Sequence, residues 1–176
     1  MNEELKNRLA LGVDGQTEPA IDAVNTALRL DPSFTEAYLF GGAVQLFAGH
    51  AAPGTVLLQH GAALAPADPM MIGLLGQAYA LSGDAEQSRA MVQRLDGLPA
   101  GIPRSGARAH VDLGLRDTTA AFAALEQAVA DREPIFAAEP LGTPLFATIR
   151  RTPHFSALLG KIGFSREAAN AIRTGK

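Results

Sequence analysis

The run Ile72-Gly73-Leu74-Leu75-Gly76-Gln77-Ala78-Tyr79, followed by Ser82-Gly83-Asp84-Ala85-Glu86-Gln87, decides how the rest of the chain is read. Ile72, Leu75, Gly76 and Tyr79 are spaced by three and four, which places them on one face of a helix. Gly83 is where that helix stops, because glycine takes a positive φ at a helix C-terminus at little cost. Asp84 and Gln87 stand at the spacing at which two side chains cap the next helix reciprocally. Val92 and Leu95 then carry that second helix's apolar face. The segment predicts two helices reversed at Gly83-Asp84.

The same punctuation recurs at a step of 34 residues. Gly15, Gly49 and Gly83 fall in phase, as do Leu30, Leu64 and Leu98, and Val24, Leu58 and Val92. Ala10, Val44 and Ala78, and likewise Val13, Phe47 and Leu81, keep the same register. Pro19 and Pro53 stand four residues after the turn glycines, in the first turn of a second helix, where a missing N–H is harmless. Pro32 and Pro66 fall where the second helix must end, since the ring cannot continue it. Ile21, Val24 and Leu28 line one helical face between those signals. A period of this length marks stacked helix pairs, each covering its neighbour's apolar side.

On these residues the chain resembles the tetratricopeptide repeat (TPR) family, whose pattern is a bulky residue, Leu-Gly and Tyr in the first helix, then small-aromatic-small and Pro in the second. Ala20, Val24, Ala27 and Pro32 match in the first unit, and Tyr38, Gly42, Leu58 and Pro66 in the second. Departures are Glu4, Asn7 and Arg8 at usually apolar or small places, Gln45 for the aromatic, and Gly61 for alanine. In a degenerate fourth unit, Ala121, Leu125 and Ala128 restore the second-helix pattern after a one-residue slip. The resemblance implies an all-α fold, an α-solenoid of three to four TPR-like helix pairs with a C-terminal helical cap. The units lie near 1–34, 35–68, 69–102 and 103–133, and residues 134–176 form capping helices and a basic tail.

Pro144-Leu145-Phe146, Ile149-Arg150, Pro153-His154-Phe155, Leu158-Leu159 and Ile162-Gly163 resemble the ending of repeat arrays in bacterial multidomain regulators. In those winged-helix transcriptional regulators, adenylate cyclases and serine/threonine kinases the repeats follow an effector domain. Phe155, Leu158, Leu159 and Ile162 form an apolar stripe suited to closing the open end of a stack.

Composition bounds the rest. With 176 residues, 47% hydrophobic and 19% charged, the chain suits one soluble unit. Cysteine is absent, which excludes disulfides, thiolate nucleophiles and cysteine-based zinc sites. The net charge of -3 gives no general pull toward nucleic acid or acidic lipid. Residues 146–176 nevertheless carry a net of +5 from Arg150, Arg151, Lys161, Arg166, Arg173 and Lys176 against one acid. That tail either meets phosphates or pairs with the acidic body, and it lacks base-stacking aromatics. The polar start has no signal-peptide core, and the apolar run from Ala37 to Gly49 is too short for a membrane span, so a cytoplasmic protein with no membrane contact is expected.

No chemistry-bearing constellation emerges. His50, His60, His110 and His154 stand far apart without the i, i+4 pairing of a helical metal site, and are expected on the surface or half buried. His110 and Asp112, two apart, point to different sides of a helix. Leu159-Gly160-Lys161 lacks the earlier glycine of a phosphate loop, whose place Phe155 takes, and Ser105 lacks a nucleophile elbow. The reading is non-enzymatic, with no catalytic residue, no metal and no cofactor.

The family geometry implies that the first helices line a concave face. Its residues are Leu5, Leu9 and Val13, then Leu39, Ala43, Leu46 and Phe47, then Met70, Gly73, Gln77 and Leu81. The places that hold Lys, Asn and Arg in members clamping a carboxylate tail hold Leu5, Leu9, Leu39 and Ala43 here, which argues against such a clamp. The expected function is a protein-protein interaction scaffold, binding a peptide, a partner protein or its own copy through this apolar groove. The same residues are alternatively buried by a neighbouring helix, the tail or a second copy. Arg104 and Arg108, four apart, are a candidate anionic contact at the edge or a solvated face. The rival reading is a small-ligand receptor or enzyme with a pocket between the fourth unit and the C-terminal helices, where Arg104, Arg108, His110 and His154 would converge.

Overall fold

The computed structural model describes residues 17–133 and 144–165. Leu5, Leu9, Val13 and Gly15, with the first helix of the first unit, lie outside the described residues, as do Arg166, Arg173 and Lys176 of the tail. Among the described residues the protein is all-helical, without strands. The helices are α1 (Thr17–Leu30), α2 (Thr35–Phe47), α3 (Ala51–Leu64), α4 (Pro69–Leu81), α5 (Ala85–Asp96), α6 (Ser105–Gly114) and α7 (Thr118–Ala130). A 3-10 turn (Pro144–Thr148) and α8 (Pro153–Lys161) follow.

Helix starts keep the step of the glycines and prolines. α1, α3 and α5 begin at Thr17, Ala51 and Ala85, and α2 and α4 at Thr35 and Pro69, so corresponding helices are 34 residues apart. α6 begins at Ser105, two residues beyond that step, and α7 at Thr118, one short of it. Each helix packs against the next in sequence, and α4 makes its most extensive contact with α6. Every residue of α4 from Met71 to Ala78 is buried, so this helix is the centre of the described fold.

The turns share one hydrogen-bond pattern. Gly49 and Gly83 hold φ of 84° and 85°, and the N–H groups of His50 and Asp84 donate back to the carbonyls of Gln45 and Tyr79 at 2.8 and 2.9 Å. This closes the helix end on itself and satisfies carbonyls that would otherwise be orphaned. Asp68, Asp84, Asp117 and Thr152 cap the following helices, each accepting from the N–H three residues on at 3.0 to 3.2 Å. Of the reciprocal cap expected at Asp84 and Gln87, only the Asp84 half forms, because Tyr79's carbonyl already takes the Asp84 N–H.

Close approach replaces bulk at the helix crossings. A Cβ at Gly73 would come within 2.5 Å of the Ala107 carbonyl oxygen, so α4 and α6 touch backbone to backbone there. Ala20, Gly54 and Ser88 share the 34-residue register in the second helices and all are buried. Only a small side chain fits that place, and the enclosed Ser88 hydroxyl has no hydrogen-bond partner among the described residues.

The apolar stripe Phe155, Leu158 and Leu159 on α8 is fully buried, in one cluster with Ala121, Phe122 and Leu125 of α7 and with Phe146 and Ile149. Ile162 packs against the same cluster. Each large side chain sequestered this way contributes roughly 1.5–3 kcal/mol.

Candidate functional site

Three helices end on one cleft. Phe47 closes α2, Leu81 closes α4 and Leu113-Gly114 closes α6, and these residues line a hollow of about 330 Å³ together with Leu46, Gly49, Ala51, Gln77, Arg116 and Thr148. Phe47 is half buried and packs against two core clusters, the one built on α3 and α4 and the one built on α7 and α8. Leu81 is 53% exposed, one of the few large apolar side chains left open to water. The converging C-termini carry partial negative charge, and Arg116 places a cation at the end of α6 that complements it.

Four of the residues expected on the concave face, Leu46, Phe47, Gln77 and Leu81, therefore meet at one cleft. Leu46, Gly73 and Gln77 are buried, Gly73 beneath the Ala107 backbone and Gln77 at 4% exposure with its amide oxygen 3.3 Å from His110 Nδ1. The reason is that α6 crosses the face of α4 on which Gly73 and Gln77 lie. Leu39, Ala43 and Met70 are half buried against the cluster of Leu58, Met71 and Leu75. Met70 also borders a separate hollow of about 300 Å³, with Asp68, Pro69, Ile102, Pro103, Ala107 and Glu133.

Arg104 and Arg108 line a third cleft, but their charges are engaged within the chain. Arg104 Nη1 donates to the carbonyls of Leu95 (3.1 Å) and Leu98 (2.7 Å), closing the end of α5. Arg108 Nε donates to both oxygens of Asp112 at 3.1 and 3.0 Å, and its Nη1 lies 3.6 Å from Asp96. Asp112 is 4% exposed, and burial raises its carboxyl above the usual 3.8 although Arg108 opposes the shift.

The histidines part company. His110, at 2% exposure, is not the surface or half-buried residue its isolation suggests, since α4 covers it and Gln77 supplies a polar partner. His154 stacks on Phe122 with ring centroids 4.0 Å apart and lies 3.2 Å from Glu126, which also accepts from Lys161 at 3.2 Å. Those two partners hold the Glu126 carboxyl below its usual 4.5, the His154 contact first and Lys161 second. His50 meets the Gln45 amide, and His60 meets the Val56 carbonyl and stacks on Tyr38. Arg104 and Arg108 share a cleft, but among the described residues its lining includes neither His110 nor His154, so the four do not meet in one pocket.

Among the described residues no three His, Asp or Glu side chains gather as a metal site requires, and no helix is long and apolar enough to cross a membrane. A scan against protein-family models and a search of the curated proteins find no match to this chain.

Proposed function

We propose that the chain is a non-enzymatic interaction scaffold, a stack of TPR-like helix pairs that holds a peptide, a partner protein or its own copy at the cleft between Phe47, Leu81 and Leu113. The observation that carries this reading is the exposed Leu81 set beside half-buried Phe47 at the rim of an apolar hollow. Large open apolar side chains around a concavity gain most when a partner covers them. The equal spacing of helix starts from Thr17 to Ala85 and the glycine turns at Gly49 and Gly83 support the repeat architecture. The resemblance of residues 144–163 supports a place in a bacterial regulatory protein of the cytoplasm.

The test is a Leu81→Glu variant, because Leu81 is open and its replacement costs the fold little, whereas Phe47 is built into two clusters. Peptides selected by display on the wild type are expected to lose roughly fivefold to 150-fold in affinity for the variant, as removal of one anchor of about 1–3 kcal/mol implies. Sedimentation across a concentration series reports self-association in the same pair of proteins. Unchanged peptide affinity and unchanged mass in Leu81→Glu would remove the cleft as the binding site.

A further inference from the structure

The cleft at the three helix ends carries a single charge. Among the described residues of its lining Arg116 is the one ionisable side chain, set beside the apolar wall of Phe47, Leu81 and Leu113. Arg116 is exposed, and among the described residues its guanidinium meets no carboxylate or carbonyl. Arg94, Arg104 and Arg108, by contrast, are engaged by carbonyls or carboxylates of the chain itself. Asp117, the acid next in sequence, caps α7 through the Ala120 N–H.

Arg116 also holds an unfavourable backbone. It sits at φ 60° in a reversal whose counterparts use Gly49 and Gly83, and glycine avoids the cost of a left-handed side chain. The turn itself does not call for a cation. The N–H groups of Arg116 and Asp117 satisfy the Leu113 and Asp112 carbonyls, as those of Gly49 and His50 satisfy Leu46 and Gln45. A strained residue that holds an unpaired charge at the rim of a concavity points to a ligand.

We propose that Arg116 determines the specificity of the cleft, and that the occupant is a peptide segment whose acidic side chain pairs with Arg116 while a neighbouring apolar side chain covers Leu81 and Phe47. This deepens the reading of the cleft as a binding site and rests on it. The guanidinium fork matches a side-chain carboxylate with two parallel hydrogen bonds. A chain-terminal carboxylate fits less well, because its capture relies on a nest of open backbone N–H groups, and those of the three turns are already donated to carbonyls. A phosphate group calls for several cations, and the described lining holds one.

The experiment uses the whole chain and a peptide display library selected on the wild type, with the tightest binder then synthesised with an amidated C-terminus. The selected set should place Asp or Glu near a large apolar residue. Affinity should fall roughly fivefold or more in Arg116→Asn and in Arg116→Gly at low ionic strength, and the gap should narrow as salt is raised. Asparagine tolerates the left-handed backbone, so the first variant removes the charge with little change to the turn. Replacing the peptide's acid by its amide should cost the same factor against wild type and nothing further against Arg116→Asn. Arg132→Gly relieves a similar φ, 56°, at a turn that lines none of the three hollows, and should bind as wild type does. Leu81→Glu separates the two levels of the argument. Loss in that variant with wild-type affinity in both Arg116 variants overturns the anion contact and leaves the cleft standing; affinity unchanged in all three removes the cleft and the proposal with it. The proposal is equally overturned by a library that yields no binder, by binders without an acid, by binding lost on amidation, or by an uncoupled cycle. A mass that rises with concentration in wild type but not in Leu81→Glu would place a second copy in the cleft and overturn it too.

Discussion

From α2 to α5 corresponding helices start 34 residues apart and reverse through Gly49 and Gly83, whereas α6 and α7 depart from that step and reverse through Arg116 and Arg132 at φ 60° and 56°. The hydrogen bonds of the turns are the same in both regions: Asp117 and Glu133 donate back to the Asp112 and Ala128 carbonyls at 2.9 Å, as His50 and Asp84 do to Gln45 and Tyr79. The interiors differ. Leu58, Met71 and Leu75 fill the first region, while the second adds the half-buried Arg108–Asp112 pair and the buried Gln77–His110 pair. The helix-reversal geometry is set by backbone bonds, and glycine lowers its cost without being a requirement for it.

The largest effect is expected where the two regions touch. A methyl at Gly73 would run into the Ala107 backbone, which cannot step aside, so Gly73→Ala should cost about 3 kcal/mol in denaturant unfolding. At Gly42 the obstacle is the side chain of Leu58, which can change rotamer, and Gly42→Ala should cost about half as much. Equal losses would show that the α4–α6 crossing is no tighter than the α2–α3 one.

The turns should respond with opposite signs. Gly83→Ala, at φ 85°, should lose about 1 kcal/mol, while Arg116→Gly should gain up to about 1 kcal/mol by relieving a left-handed side chain. A destabilised Arg116→Gly would mean that the guanidinium at the end of α6 outweighs the backbone strain.

The smallest effects lie in pH. The Asp112 carboxyl is raised, so the folded state holds its proton more tightly than the unfolded chain. Its contribution is complete below the ordinary value of 3.8 and is lost as pH rises through the raised one. Asp112→Asn should therefore gain on wild type as pH climbs through that window. Glu126 runs the other way, with stability present above its ordinary 4.5 and lost as pH falls through the lowered folded value. Glu126→Gln should flatten that acid-side loss. Urea midpoints for the two variants across acid to neutral pH distinguish the signs.

Much of the helical frame was legible because it rests on local signals: Gly49 and Gly83 at the turns, Pro19 and Pro53 in first helical turns, Pro32 and Pro66 past helix ends. The Arg108–Asp112 pair is also local, being one helical turn apart, and its spacing is visible in the sequence. The arginine turns were not legible, since a rule that looks for glycine cannot see a left-handed arginine. Contacts made across 27 to 33 residues, Glu133 on the start of α6 and Gln77 on His110, leave no mark in periodicity. The same limit explains the face assigned to Gly73 and Gln77. Helical spacing says which residues share a side, and the neighbour that covers that side is chosen by tertiary packing.

The most direct measurement of the account is methyl NMR of the whole chain titrated with a peptide selected on it, following the leucine methyls. The cleft reading predicts that shift changes concentrate at Leu46, Leu81 and Leu113, at the meeting of three helix ends, with Leu30 and Leu64 unmoved. Changes centred on Leu30 and Leu64, which are 83% and 48% exposed on other helices, would contradict it.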